Sequence, residues 1–463
     1  MSISIGPPVN INTIAAAQSW LSQLYNWIIS VESSDGVNFL QTGTGSSPRT
    51  VQSRLRDHVS VRDFGATGNG TTDDTAAIQA AVDSITYGAI YFPPGEYKIT
   101  SEIDITKANG IRIYGAGKQI TYIVLYTANQ NGFNIGQDVS VIIEDLTITA
   151  GSGVTKNAGA GIAVNGASAA TYNSGSRFSN LIVSLQYNGI VFGDAGAFWV
   201  ENCYILSNIN TGVVVRNSVD GDIGDGLICH CQFNSAAATG PGIAYSSGGG
   251  LRVISNKFWD HGTGGLVLDL LDDGDTGGLF ALGNSFDSQG GYGILLQNTA
   301  AAHTFISVTI VGNQFTACTS ADIAQSGDAW LTYLSIVGNN FIRSNDSDSI
   351  EINGADHVTI SGNVFAGQGG TSNAITIGGD TANLNIPPTN AFYNFATNVT
   401  NASETSAFVT LKITSGTAAP IAGAWLRGDI CWNTEPAASG VPGWVCTTAG
   451  TPGTWKAMAA LAA

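Results

Sequence analysis

Charge is scarce in this chain. Only 11 % of its 463 residues are charged, and 17 Lys+Arg face 34 Asp+Glu, for a formal net charge of −17. No basic run exists that could track a phosphate backbone, which argues against a nucleic-acid partner. The acidic balance argues equally against an anionic membrane surface, and no apolar run is long enough to cross a bilayer. Proline is sparse at 12, while apolar residues reach 43 %, which excludes a disordered Gly/Pro-rich chain. The start lacks a positive n-region, and residues 14–31 are interrupted by Gln18, Ser22, Gln23 and Asn26, so no signal peptide is expected.

The six cysteines (Cys203, Cys229, Cys231, Cys318, Cys431, Cys446) show no metal-ligand spacing. In Cys229-His230-Cys231, strand alternation would place both sulfurs on one face and His230 on the other. A buried stack of free thiols is expected there, with folding in a reducing cytoplasm.

What is abundant is glycine, at 59 residues. With regular Asn and Val/Ile/Phe, it points to many short strands joined by tight turns, as in a β-solenoid or barrel. One long helix is expected, over residues 10–33. There Ile14, Ala17, Leu21, Leu24, Ile28 and Val31 alternate steps of three and four, and Asn12 or Thr13 can cap the start. Trp20 and Trp27 flank this seam, so the helix is expected to join a short parallel coiled coil or to dock on a partner. A polar linker follows to residue 48, then a short basic helix at residues 49–56.

The most specific stretch lies at residues 59–100. It begins Val59-Ser60-Val61-Arg62-Asp63-Phe64-Gly65-Ala66-Thr67-Gly68-Asn69-Gly70-Thr71-Thr72-Asp73-Asp74-Thr75-Ala76-Ala77-Ile78-Gln79, and Ile90-Tyr91-Phe92-Pro93-Pro94-Gly95 comes later. It reads as a strand, a Gly-rich turn, a helix capped by Thr72, and a further strand after a Pro-Pro-Gly turn. The helix face of Ala77, Ile78, Ala81, Val82 and Ile85 can cover the open end of a solenoid. This pattern resembles the opening of the pectate-lyase-like right-handed β-helix superfamily, shared by phage tailspikes, polygalacturonase-type hydrolases and pectin lyases.

Beyond it an Asn-x-aromatic unit recurs. Its copies start at Asn202, Cys231 (degenerate), Asn256, Asn284, Asn313, Asn339 and Asn363, in steps of 24–29 residues. A period of that length with three short strands describes one coil of a β-helix, in which equivalent residues stack as columns. The asparagines are expected to pair their amides along the stack and the aromatics to pile up in the core. The repeat fades near Asn385-Ile386-Pro387-Pro388. Gly428-Asp429-Ile430-Cys431-Trp432-Asn433, Gly443-Trp444-Val445-Cys446 and Gly453-Thr454-Trp455-Lys456 then suggest a small β module, similar to a C-terminal element of phage tail and tailspike proteins. The expected architecture is all-β: an attachment or trimerisation helix at 1–33, a linker and neck at 34–58, a right-handed parallel β-helix at 59–388, and a β module at 389–463.

Rungs about 5 Å apart suit pairs of carboxylates working on a glycosidic bond. Two acidic loops stand out, Asp220-Gly221-Asp222-Ile223-Gly224-Asp225 and Asp269-Leu270-Leu271-Asp272-Asp273-Gly274-Asp275. The repeat places them in one loop column two rungs apart, with the side-chain-poor Ser246-Ser247-Gly248-Gly249-Gly250 between them. Asp222, Asp225, Asp269 and Asp273 are the first catalytic candidates. Glu201, Asp260 and Asp287 are the second, with Trp199 and Trp259 as sugar platforms. Asp and Gly are also ordinary turn formers. Asp220, Asp272 and Asp275 could alternatively hold calcium, the one ion considered, since no other cofactor is expected. His230, His261, His303 and His357 stand isolated. The Asn-Thr-Asp and Gly-His-Gly elements of the polygalacturonase branch are missing, so no catalytic residue carries over from it.

The resemblance implies a homotrimeric phage tailspike, assembled in the host cytoplasm and carried on the virion tail. Its N-terminal segment would join the tail or baseplate, and its partner would be a host-surface polysaccharide that it binds and depolymerises. The alternative is a fibre that binds a receptor without cleaving it, or a structural virion component.

Overall fold

The computed structural model describes residues 18–26, 37–106, 110–136, 139–165, 175–193, 195–216, 225–235, 239–246, 249–269, 276–298, 304–327, 330–402, 407–409, 412–423 and 425–461. Short strands of alternating burial wind into a right-handed coil with three parallel sheets. Sheet 1 has 12 strands, from Ile103–Ile105 to Thr397–Asn401. Sheet 2 has 14, from His58–Ser60 to Ala407–Val409, and sheet 3 has 13, from Asn69–Asp73 to Ala391–Tyr393. Each coil runs from sheet 1 through a loop to sheet 2, round a two-residue corner to sheet 3, and back. In Gly250–Ile254, Lys257–Trp259 and Gly264–Asp269, for example, Leu251, Val253, Phe258, Leu266 and Leu268 turn inward.

The corner between sheets 2 and 3 sets the register. Asn256, Asn284, Asn313, Asn339 and Asn363 are buried there, and each Nδ2 donates to the Oδ1 of the next asparagine at 2.9–3.1 Å. The second amide proton goes to a sheet 2 carbonyl, as from Asn313 to Ala281 at 3.0 Å. No polar atom of the side chain is left orphaned, the condition under which a buried amide stabilises. Two residues on, Phe233, Phe258, Phe286, Phe315, Phe341, Phe365 and Phe392 form one ring stack with centroids 4.7–5.0 Å apart.

Four expectations change. Asn202 is not the ladder residue of its coil. Ile205 pairs with Phe233, so Cys203 takes the ladder place and Asn202 falls in the preceding left-handed column with His230, Ser255 and Gly283. That column accepts Asn as readily as Gly, so an Asn-x-aromatic match one residue out of step looks genuine. The left-handed corner at His230 also ends strand alternation. Cys231 enters the core, where its Sγ accepts from the Cys203 backbone N–H at 3.4 Å, whereas Cys229 joins an outer column. All six cysteines are free and buried.

Thr72 does not cap the helix that follows it; it lies in the strand Asn69–Asp73. The helix is Thr75–Asp83, and Asp73 Oδ1 accepts the Thr75 N–H at 3.1 Å. The buried Asp74 turns back to the Gly-rich turn, accepting from the N–H groups of Thr67 (2.7 Å) and Gly68 (3.0 Å). Ile78, Ala81 and Val82 close the core end as anticipated.

Coils also continue past residue 388. Asn390 extends the ladder and Phe392 the ring stack, and each sheet gains one more strand, Ala391–Tyr393 on sheet 3, Thr397–Asn401 on sheet 1 and Ala407–Val409 on sheet 2. Of the N-terminal helix only residues 18–26 are described. They are helical, with Leu21 and Tyr25 exposed and Trp20 and Leu24 half-buried. Asn12, Thr13, Ile14, Ala17, Trp27, Ile28 and Val31 lie outside the described residues.

The last four strands, Ile413–Gly416, Ile430–Asn433, Gly443–Thr448 and Thr454–Ala457, form a separate sheet. The first pair is parallel and the others antiparallel. Trp425 packs inside it against Trp455 at 5.0 Å, while Trp432 stays exposed. Among the described residues no helix is long and apolar enough to cross a membrane.

Candidate functional site

Strands Thr211–Arg216, Ile243–Ser246 and Gly264–Asp269 are consecutive neighbours on sheet 1, so both acidic loops leave the same corner two rungs apart. Asp220, Asp222, Asp272, Asp273 and Asp275 lie outside the described residues. Asp225 is exposed, and its Oδ1 accepts the Gly250 N–H at 2.8 Å. A Cβ on Gly250 would stand 3.1 Å from that oxygen, so the glycine lets the carboxylate reach backbone. Asp269 is half-buried and accepts from Gln297 Nε2 at 2.9 Å. The adjoining outer column of sheet 1 is apolar: Val214, Ala244, Val267 and Leu295 pair in sequence.

On sheet 3, Trp259 and Asp287 are register partners. Trp259 is 46 % exposed, with Lys257 Nζ 5.7 Å from its ring centre. Asp260 has a left-handed backbone and donates its N–H to the Asp287 carbonyl at 3.3 Å; Asp287 Oδ1 accepts from Ser288 Oγ at 2.9 Å. His261 is turned into the molecule, and burial pushes its pKa down to about 4. Trp199 and Glu201 belong to sheet 2. Trp199 pairs with Leu227, two residues past Asp225, so it borders the loop column rather than the Trp259 ledge. Glu201 Oε1 is held by Arg177 Nε at 2.9 Å.

The sequence reading missed Glu351. The outer column of sheet 1 is apolar from Ala163 through Val191, Val214, Ala244, Val267 and Leu295 to Ala324. The next rung carries Glu351, followed by Thr376 and Thr400. Burial lifts the Glu351 carboxyl above the usual range, Asp348 adds to the rise, and Arg343 opposes it. Asp348 accepts from Thr376 Oγ1 at 2.5 Å and from the Asn373 N–H at 2.7 Å. A half-buried carboxyl with a raised pKa is suited to give up a proton in acid–base chemistry. Trp330, 38 % exposed, stands against Gly354 three residues on, where a Cβ would lie 3.3 Å from the indole. Behind them Arg343 and Asp322 form a wholly buried ion pair at 2.8 Å. The signal available was the alternation Ile350-Glu351-Ile352, which turns a lone acid outward between two core residues.

Residues 58–136 match the model of the "Rhamnogalacturonase A/epimerase, pectate lyase-like" family, and residues 109–276 that of the "Right handed beta helix region". Mannuronan C5-epimerase AlgE1 of Azotobacter vinelandii is 28 % identical over 232 residues, which is 43 % of this chain and 16 % of that protein. The chain thus matches about one sixth of that relative's length. Among solved structures, the A-module of Azotobacter vinelandii mannuronan C-5 epimerase AlgE4 superposes with a TM-score of 0.63 at 18 % identity, over 76 % of this chain and 100 % of that one. Tailspike protein 3 of bacteriophage CBA120 superposes with a TM-score of 0.52 at 15 % identity, over 96 % and 77 %. The molecule is a right-handed parallel β-helix protein. Within it, residues 58–136 are the part that is similar to the pectate-lyase-like family model.

Proposed function

We propose that this chain is a phage tailspike subunit that binds a host-surface polysaccharide and cleaves it, with Glu351 as proton donor and Asp348 as the partner carboxylate. The observation that carries the reading is the Glu351 carboxyl, half-buried on the outer face of sheet 1 and biased toward its protonated form beside a hydrogen-bonded acid. Support comes from a relative named for an activity on mannuronan and from a tailspike that shares the fold over most of this chain. The N-terminal helix suits trimerisation and attachment to the tail.

The test is incubation of the purified protein with capsule or lipopolysaccharide of candidate hosts. New reducing ends alone indicate hydrolysis, while ultraviolet absorbance of an unsaturated uronate indicates elimination. Binding without either product would identify a receptor-binding fibre instead. Glu351→Gln is expected to abolish cleavage and retain binding. If it cleaves normally while the triple variant Asp222→Ala, Asp269→Ala, Asp273→Ala does not, the chemistry belongs to the acidic loops. Light scattering is expected to give the mass of three chains.

A further inference from the structure

The outer face of sheet 2 carries a pattern that the cleavage site does not use. From Arg112 to Phe280 its columns keep register from strand to strand, so side chains repeat at the rung spacing of about 4.8 Å. One column holds arginine at three rungs, Arg112, Arg177 and Arg252, all exposed. Trp199 is the partner of Arg177 and Phe280 the partner of Arg252, 37 % and 38 % exposed. The adjacent column supplies Glu144, bonded to Arg112 Nε at 2.5 Å, and Glu201, bonded to Arg177. Among the described residues Arg252 has no ion-pair partner. Within these columns three arginines face two glutamates, a local excess of +1 on a chain whose formal charge is −17.

We infer that this face is a second glycan-binding surface, which takes a linear uronate-bearing polysaccharide laid along the solenoid axis. The guanidinium of Arg252 binds a sugar carboxylate through its planar fork, and Trp199 and Phe280 offer flat apolar surface to pyranose rings. Arg112 and Arg177 are held extended by their glutamates and keep further N–H donors for sugar oxygens. A neutral or cationic polymer would leave Arg252 unmatched. A second copy of this acidic chain would have to present carboxylates at the same spacing, and the measurement below separates that case. The inference rests on the polysaccharide reading for the class of ligand, but not on Glu351 or on cleavage.

The experiment is affinity electrophoresis of the full chain through gels holding polygalacturonate, polymannuronate or carboxyl-reduced polygalacturonate. At least one uronate polymer is expected to retard the protein, weakening as salt is added, and the carboxyl-reduced polymer is not. Arg252→Ala combined with Trp199→Ala is expected to weaken uronate binding at least tenfold, with the circular-dichroism melt unchanged because both side chains are exposed. Equal binding by wild type and variant, or equal retardation by reduced and native polymer, overturns the inference. So does a fall in light-scattering mass in the variant, which would make the face a contact between subunits. A variant that still binds and cleaves host polysaccharide like the wild type defeats this surface and leaves the proposed function standing. Failure of the wild type to bind any polysaccharide defeats both.

Discussion

Asn284 Nδ2 and the Asn284 backbone N–H both donate to one oxygen, Asn313 Oδ1, at 2.9 and 2.8 Å. One side-chain atom therefore latches each coil to the next, and the same pair of bonds recurs along the ladder. Asn313→Leu would leave those two donors without their acceptor in the core. Each such loss costs about 1–3 kcal/mol, so a total of about 3–5 kcal/mol is expected. Urea unfolding followed by fluorescence measures it, and a change below about 0.5 kcal/mol would mean that the latch is replaceable.

The N-terminal cap offers a contrast between two residues separated in the chain by one position, Asp74 and Thr72. Asp74→Ala removes the acceptor for two backbone N–H groups of the Gly-rich turn and should destabilise by about 2–3 kcal/mol. Thr72→Ala touches only an exposed bond to Asn69 and should stay within about 0.5 kcal/mol. Similar losses in thermal melts of the two variants would restore Thr72 as a cap.

Lys156 is buried with its Nζ on the carbonyls of Gln130 (2.6 Å) and Thr127 (3.0 Å), and burial pushes its pKa down to about 8. The unfolded chain therefore binds more protons between about pH 8 and the ordinary lysine value of 10.5. Stability rises with pH wherever that holds. Relative to Lys156→Met, the wild-type protein should gain stability across this window, read as the difference in Tm. A constant difference would show that the ammonium is solvated.

Glu351 makes a prediction about rate. Cleavage should fall as pH rises through the elevated Glu351 pKa, since the proton donor is then ionised. Glu351→Gln should lower kcat by about a hundredfold or more. The raised pKa means that the fold prefers the neutral form, so this variant should melt no lower than wild type at neutral pH. A lower melt would turn the lost activity into a folding defect.

The repeat was legible because its two strongest columns hold residues that cannot be exchanged freely. Asn313 needs an amide with two donors and an acceptor, and Phe315 needs a flat ring at the same height as its neighbours. The slip at Asn202 arose where that chemistry gives way to Cys203, and a one-residue shift in a strand exchanges its faces. The acidic loops announced themselves by local density. Glu351 did not, because a single acid between two isoleucines carries no local emphasis.

The linear order of residues was enough to determine that this chain coils, how long each coil is, and that asparagines and aromatics recur in fixed columns along it. Spacing along the chain carries that information, since the rungs from Asn256 to Asn363 satisfy the same hydrogen bonds and bury the same kind of side chain. Which outer residues meet was decided only by the tertiary structure. Glu351 reaches Thr376 and Ala324, and Arg177 reaches Glu201, across coils of unequal length. Those neighbours are set by backbone pairing between rungs, which the loops absorb and no local pattern records.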